Sequence, residues 1–309
     1  NGSETFTVTV SDSELTDSQN ITVTVNAVND DPVLASIGDR FFDEDSELNI
    51  LLSASDIDGD DLSYSISAGT DITATLTGSD VSFSAPADFN GSETFTVTVS
   101  DGELSDSQSI TVTVNAVNDA PVATAGLAGT TNEDQNIVIT LSGADIDGDN
   151  LTFSLDTDAT NGSVVIDGTL ATYTPTLNYN GDDTFSFTVS DGFSSDTAEV
   201  TLTIDPVNDA PVLETILNIS FSEGEEEMLS IVANDVDGDD LSYSISAGTD
   251  ITATLTGSDV SFSAPADFNG SETFTITVSD SELTDSQSIT VTVNAVNDAP
   301  VATIDLSDT

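Results

Sequence analysis

The chain has no cysteine, no histidine and no tryptophan, and its 309 residues carry a single basic side chain, Arg40. Each absence removes a class of function. Without cysteine or histidine there is no disulfide, no thiolate or imidazole metal site, and no catalytic nucleophile or base of those types. Without lysine no Schiff base can form. A formal net charge of −56, from 57 acids against one base, excludes nucleic acid and anionic membranes as partners, because phosphate binding needs clustered Lys and Arg. The favoured partners are cations. No apolar run approaches the roughly 20 residues of a membrane span, so membrane insertion is not expected. Missing cysteine does not fix a compartment, since a repetitive secreted protein can dispense with disulfides if bound metal staples its modules instead.

What is present repeats. Asn-Asp, followed within two residues by Pro-Val, opens blocks at Asn29, Asn118, Asn208 and Asn297, at intervals of 89, 90 and 89 residues. The repetition is nearly literal in places: Asp61–Val117 and Asp240–Val296 differ only at Val97 against Ile276, Gly102 against Ser281 and Ser105 against Thr284. A fixed period of this size marks a tandem array, and such arrays serve length, spacing or multivalency more often than one reaction centre. The expected division is full modules at 29–117, 118–207 and 208–296, with 1–28 the C-terminal part of a truncated module and 297–309 the start of a further one. Asn1-Gly2 matches Asn90-Gly91, Asn180-Gly181 and Asn269-Gly270, so the chain is expected to be a piece of a longer array.

Within a module Val, Ile, Thr and Phe alternate with Ser, Thr and Asp at period two, and no helical stripe is seen. In the first full module strands are expected near Val33–Ile37 with Phe41 and Phe42, Leu48–Ser53, Leu62–Ile66, Ile72–Leu76, Val81–Ala85, Thr94–Val99 and Ser107–Asn115. Gly78-Ser79-Asp80 makes a tight hairpin turn. Seven short strands in about 90 residues with Gly, Asp and Asn turns give an all-β fold, a seven-stranded Greek-key sandwich of immunoglobulin or cadherin type, with a small barrel as the alternative. The expected inward set is Leu51, Leu62, Tyr64, Ile66, Leu76, Phe83, Phe95, Val97, Val99, Ile110, Val112 and Val114.

The acids recur at fixed places in each module, which separates sites from a merely acidic surface. Asp-x-Asp-Gly-Asp appears at Asp56–Asp60, Asp145–Asp149 and Asp235–Asp239. Glu44, Glu133 and Glu223 share one place, and Asp12, Asp101, Asp191 and Asp280 another. Asp88 with Asn90, Asn178 with Asn180, and Asp267 with Asn269 flank the Asn-Gly turn. Any one acidic turn can be a solvated loop. Two carboxylates about 4 Å apart, however, repel by roughly 4 kcal/mol at an effective dielectric near 20, so a fold that gathers several needs a counter-cation. Oxygen-only ligands specify a hard ion, and Ca²⁺ tolerates six to eight irregular oxygens better than Mg²⁺ does. An EF-hand does not fit, because Gly59 falls at the fourth loop position and the twelfth is Ser67.

These residues together resemble the cadherin repeats, in particular the bacterial cadherin-like repeats of giant surface adhesins. Ala54–Ile66 looks like the cadherin segment whose Asp-x-Asp pair reaches the calcium site at the preceding linker. Val99-Ser100-Asp101-Gly102 resembles the Ala-x-Asp-x-Gly segment, and Val117–Val122 resembles the linker. Glu44 sits where the family has its first-strand glutamate, and Asp88 with Asn90 resembles the Asp-Arg-Glu motif. The linker is one residue shorter than the family's, Asn90 stands for a glutamate and Asn178 for an aspartate.

The resemblance implies Ca²⁺ at every joint. At Asn118 the ligands would be Glu44, Asp88, Asn90, Asn118 and Asp119 from one side, and Asp145, Asp147 and Asp191 from the other. At Asn208 they would be Glu133, Asn178, Asn180, Asn208 and Asp209 with Asp235, Asp237 and Asp280. The joint at Asn29 would use Asn29, Asp30, Asp56, Asp58 and Asp101, and that at Asn297 would use Glu223, Asp267, Asn269, Asn297 and Asp298. The expected function is a calcium-rigidified, non-enzymatic spacer of a large secreted or surface-attached bacterial adhesin. Its partners would be calcium and the neighbouring modules, with other copies of the chain or extracellular polysaccharide as further candidates. The rival readings are calcium-dependent polysaccharide binding and, for the acidity, halophilic adaptation. Four tyrosines and no tryptophan offer few stacking platforms for the former.

Overall fold

The computed structural model describes residues 1–300, which contain strands, turns and loops and no helix. The described residues form two compact units, one of 1–122 with 143–152 and 189–196, the other of 123–142, 153–188 and 197–300.

The first unit opens on a hairpin of β1 (Gly2–Ser11) and β2 (Thr16–Val25). There follow β3 (Val33–Leu34), β4 (Arg40–Asp43), β5 (Glu47–Leu51), β6 (Ala54–Ser55), β7 (Ser63–Ile66), β8 (Thr73–Thr77), β9 (Asp80–Ser84), β10 (Gly91–Ser100) and β11 (Ser105–Asn115). One sheet has the order β4-β11-β10-β7 and a second the order β5-β9-β8, while β3 pairs only with β6. All pairings are antiparallel except β4 with β11, which is parallel. The two sheets close on one core. Phe83 of β9 and Phe95 of β10 meet edge to face with centroids 5.2 Å apart, a geometry the ring quadrupoles favour.

Two expectations are corrected. The first strand is not continuous: Gly38, with φ +65°, breaks it, and the chain passes from β3, paired with β6, to β4, paired with β11. Gln108 fills the break, its Nε2 donating to Leu34 O and its Oε1 accepting the Ile37 N–H. Leu51 is also not in the core. It is 70 % exposed, and Leu52 at 4 % takes the place, because Leu48 and Ile50 set the inward phase and the Leu52 N–H binds Ser79 O.

The second unit repeats both sheets, in the order Ile219–Ser222, Thr284–Asn294, Gly270–Ser279, Ser242–Ile245 and in the order Glu226–Ser230, Asp259–Ser263, Thr252–Thr256. Phe262 and Phe274 again meet edge to face at 5.3 Å. The same unit holds Leu127–Asn132 in parallel with Val200–Asp205, and Leu170–Pro175 between Ile137–Thr140 and Gly162–Asp167. The acids of interest stand at strand ends and in the loops between strands.

Candidate metal centre

The Asp-Gly-Asp loops are built by their first aspartate. Asp56 Oδ1 accepts the N–H groups of Asp58, Gly59 and Asp60 at 2.8, 3.0 and 3.4 Å, and Gly59 takes φ +81° to close the turn. This uses one oxygen. The other, Oδ2, is buried with no hydrogen-bond partner, as are Oδ2 of Asp145 and of Asp235 in the equivalent loops. In each loop the three aspartates bring carboxylate oxygens within 4.8 Å of one another.

The Ser-Asp turns work similarly. Asp191 Oδ1 accepts the N–H groups of Phe193 and Ser194, both at 2.6 Å, while Oδ2 accepts the Asn118 side-chain amide at 2.9 Å. Asp101 receives Asn29 at 2.8 Å and Asp280 receives Asn208 at 2.9 Å in the same way. These donors hold all three carboxyls below the usual aspartate range: the Asn amide is the largest influence at Asp191 and Asp280, and the Leu104 N–H at Asp101.

At the Asn118 joint, which lies wholly in the first unit, the loops converge. The Asp119 N–H donates to Asp147 Oδ2 at 2.8 Å. Glu44 follows β4, its N–H bound to Asn115 O and its Oε1 accepting the Val117 N–H. The Glu44 residue is only 5 % exposed, and its Oε2 has no partner. Carboxylate oxygens of Glu44, Asp119 and Asp147 lie within 4.8 Å of one another, as do those of Asp45, Asp88 and Asp119. Asp119 Oδ2 is likewise buried and unpartnered. Burial first, then the charges of Asp88, Asp147, Asp45 and Glu44, hold the Asp119 carboxyl above its ordinary range.

The Asn208 joint, within the second unit, repeats the hydrogen bonds of the first, without a counterpart of the Glu44 and Asp45 trios among the described residues. Glu133 is 4 % exposed, its Oε1 accepts the Val207 N–H, and its Oε2 has no partner. The Asp209 N–H donates to Asp237 Oδ2 at 2.7 Å. Burial, then Asp237, Asp134, Glu133 and Asp235, raise the Asp209 carboxyl. Burying an unpaired carboxylate costs several kcal/mol after relaxation. A hard cation bound by these oxygens removes that cost, so the donor set fits Ca²⁺.

Not every anticipated ligand joins a cluster. At Asn29 the Asp30 N–H donates to Asp58 Oδ2 at 2.9 Å. At Asn297, among the described residues, Glu223 accepts the Val296 N–H and the Asn297 amide contacts Asp298 O; residues 301–309 of the anticipated further module lie outside the described residues. Asn90, Asn180 and Asn269 are exposed, and their side chains make no hydrogen bond among the described residues. Asp45 and Asp134 were not anticipated. The signal for them is an Asp directly after the glutamate in two modules, replaced by Gly224 in the third.

Residues 29–114, 118–203 and 208–292 each match a family profile described as bacterial Ig domain. No curated protein matches the chain. Among solved structures, the protocadherin GammaB4 extracellular domain is similar with a TM-score of 0.52, at 16 % identity over 95 % of this chain and 54 % of that one. Protocadherin Gamma B7 extracellular cadherin domains 1–4 give 0.51, at 15 % identity over 91 % of this chain and 80 % of that one. At such identities the likeness concerns the fold alone. An endo-fucoidan hydrolase of glycoside hydrolase family 107 is matched at a TM-score of 0.29 and 20 % identity over 87 % of this chain. The chain spans 45 % of that protein's length, and so low a score carries no inference about activity.

Proposed function

The chain belongs to the bacterial Ig domain family, and on that premise we propose that it is a calcium-rigidified, non-enzymatic spacer of a large secreted or cell-surface bacterial adhesin. Its modules in this reading are 29–117, 118–207 and 208–296, flanked by parts of others. The observation that carries the reading is Glu44: a carboxylate almost fully buried, with one oxygen unpartnered, directed at two further carboxylates where consecutive modules join. Glu133 repeats the burial and the unpartnered oxygen.

The first full joint would hold calcium through Glu44, Asp88, Asn118, Asp119, Asp145, Asp147 and Asp191, and the second through Glu133, Asn178, Asn208, Asp209, Asp235, Asp237 and Asp280. Ligands drawn from two modules would make the ion a clamp, and the array a rod. The polysaccharide reading has less support, since Tyr173 is fully buried and Tyr64 and Tyr243 pack against the cores.

Metal analysis and small-angle scattering of the metal-free and calcium-loaded chain test the proposal. The expected result is stoichiometric calcium, and a larger, stiffer particle in its presence than in chelator. Identical scattering profiles with and without calcium would sink the clamp.

A further inference from the structure

We propose that Asn90, Asn180 and Asn269 are sites of self-modification, at which the nitrogen of the following glycine expels the side-chain amide and a carboxylate replaces a neutral group. The inference does not depend on a bound ion. Within the modules Asn-Gly occurs four times, at Asn90, Asn161, Asn180 and Asn269. Glycine carries no Cβ to hinder its own nitrogen, so in this dipeptide the main-chain nitrogen reaches the preceding side-chain carbonyl carbon most easily. The structure sorts the four into three open sites and one closed site.

The open sites share one local build. A turn closes just before each asparagine, with the Phe89, Tyr179 and Phe268 N–H groups donating to Pro86 O, Thr176 O and Pro265 O at 3.3, 3.0 and 3.2 Å. The asparagine follows, and the strands Gly91–Ser100, Gly181–Ser190 and Gly270–Ser279 begin at the next residue. All three asparagines are exposed, with side chains free of hydrogen bonds among the described residues. Packing favours the glycine that follows. A Cβ there would meet the Phe89 ring at 2.9 Å, the Tyr179 hydroxyl at 3.2 Å and the Phe268 ring at 3.0 Å, so the fold itself keeps the labile pair in each module.

Asn161 is held through both of its main-chain groups. Its N–H donates to Asp183 Oδ2 at 2.9 Å, and its carbonyl accepts the Thr176 N–H at 2.8 Å and lies 3.3 Å from the Tyr173 hydroxyl. Gly162 already belongs to the strand Gly162–Asp167, paired with Pro175, and a Cβ on it would fall 2.3 Å from the Tyr173 ring. Cyclisation has to turn the asparagine main chain until the next nitrogen faces Cγ, and these bonds oppose the turn.

The step balances with water alone. The glycine N–H gives its proton to water and the nitrogen bonds to the asparagine Cγ, while the Cγ–Nδ2 bond breaks and ammonia leaves with the returned proton. Water then opens the cyclic imide at Cγ, giving aspartate, or at the main-chain carbonyl, giving isoaspartate with a methylene added to the main chain. At Asn90 either product places a new charge two residues from Asp88, whose carboxylate already has an oxygen within 4.8 Å of those of Asp45 and Asp119.

The experiment is incubation of the full chain at mildly alkaline pH, folded and in guanidinium chloride, with peptide mapping by mass spectrometry over time. In the folded chain Asn90, Asn180 and Asn269 should convert, while Asn161, held away from a near-attack geometry, should convert at least about tenfold more slowly. In denaturant all four should convert at similar rates. Asn90→Gln should stop the reaction at that position and leave the other two unchanged. If the three exposed asparagines stay unmodified in the folded chain while the denatured chain converts, the fold shelters them and the proposal is wrong. It is equally wrong if Asn161 keeps pace with them in the folded chain, since the exposed turns would then have no part in the choice. Absence of conversion in both states would also overturn it.

Discussion

Acids that recur at fixed places in each module are pushed in opposite directions by their surroundings. Asp119, Asp209 and Asp239 stand among other acids, and burial followed by neighbouring charge raises them. Asp101, Asp191 and Asp280 are lowered by the amide and N–H donors they accept, and Glu93 and Glu272 are lowered first by the N–H groups of Asp71 and Asp250. In the metal-free protein these have opposite consequences. An acid raised by the fold costs stability while ionised, and that cost is relieved as pH falls through its folded pKa. An acid lowered by the fold contributes stability above its unfolded pKa, and the contribution is lost as pH falls through the folded value. The raised group titrates first on acidification. The metal-free melting temperature should therefore rise from neutral pH, pass a maximum near the unfolded carboxylate range of about 4, and then fall. Calcium should flatten the rising arm, because the ion replaces the proton as the neutralising charge. Circular-dichroism melts between pH 7 and 3 check this, and a monotonic fall from neutrality would show that the clustered acids are uncoupled.

Among the elements, β5 and its exit give the sharpest contrast. Leu52→Ala should cost about 2–5 kcal/mol through lost burial and a residual cavity, whereas Leu51→Ala, one position away and exposed, should change stability by less than about 0.5 kcal/mol. Urea unfolding of the two variants decides it, and equal effects would contradict the register. The same place shows what a sequence can reveal. Alternation located most strands, and Gly78-Ser79 correctly marked a hairpin whose strands pair Thr77 with Asp80. It could not choose between Leu51 and Leu52, because Ile50-Leu51-Leu52 is apolar throughout and only the pairing of Leu51 with Asp80 fixes the phase. The acids were legible as a recurring pattern, yet which of them converge depends on turns. Asp45 enters its trio through a left-handed φ that no periodicity announces. A compensating exchange was equally hidden. Glu93 holds the N–H groups of Thr70 and Asp71, whereas the shorter Asp183 holds those of Thr160 and Asn161 and recruits the Tyr173 hydroxyl at 2.9 Å. The Glu-to-Asp and aromatic-to-Tyr changes make sense only once the strands are assembled.

For the whole molecule the charge of −56 admits two physical readings that differ in their response to salt. If the acids served general solubility, monovalent salt would relieve their repulsion, since the screening length falls from about 8 Å at 0.15 M to about 3 Å at 1 M. Screening acts on exposed charges. It does little for Glu44 and Glu133, which are nearly buried and have one unpartnered oxygen each, and which need a ligand rather than an ionic atmosphere. A calcium excess of 100-fold over Kd stabilises a site by about 2.7 kcal/mol, a shift on the order of 10 °C for modules of this size. Millimolar calcium should therefore raise the melting temperature by several degrees or more, and sodium chloride of matched ionic strength should not. Molar sodium chloride should recover only a part of the calcium effect, and Glu44→Gln should remove the calcium-specific part at the first joint while leaving the sodium response intact. Should sodium chloride alone reproduce the full calcium shift, the fixed positions of the acids would reflect a uniformly acidic surface, and the joints would hold no specific ion.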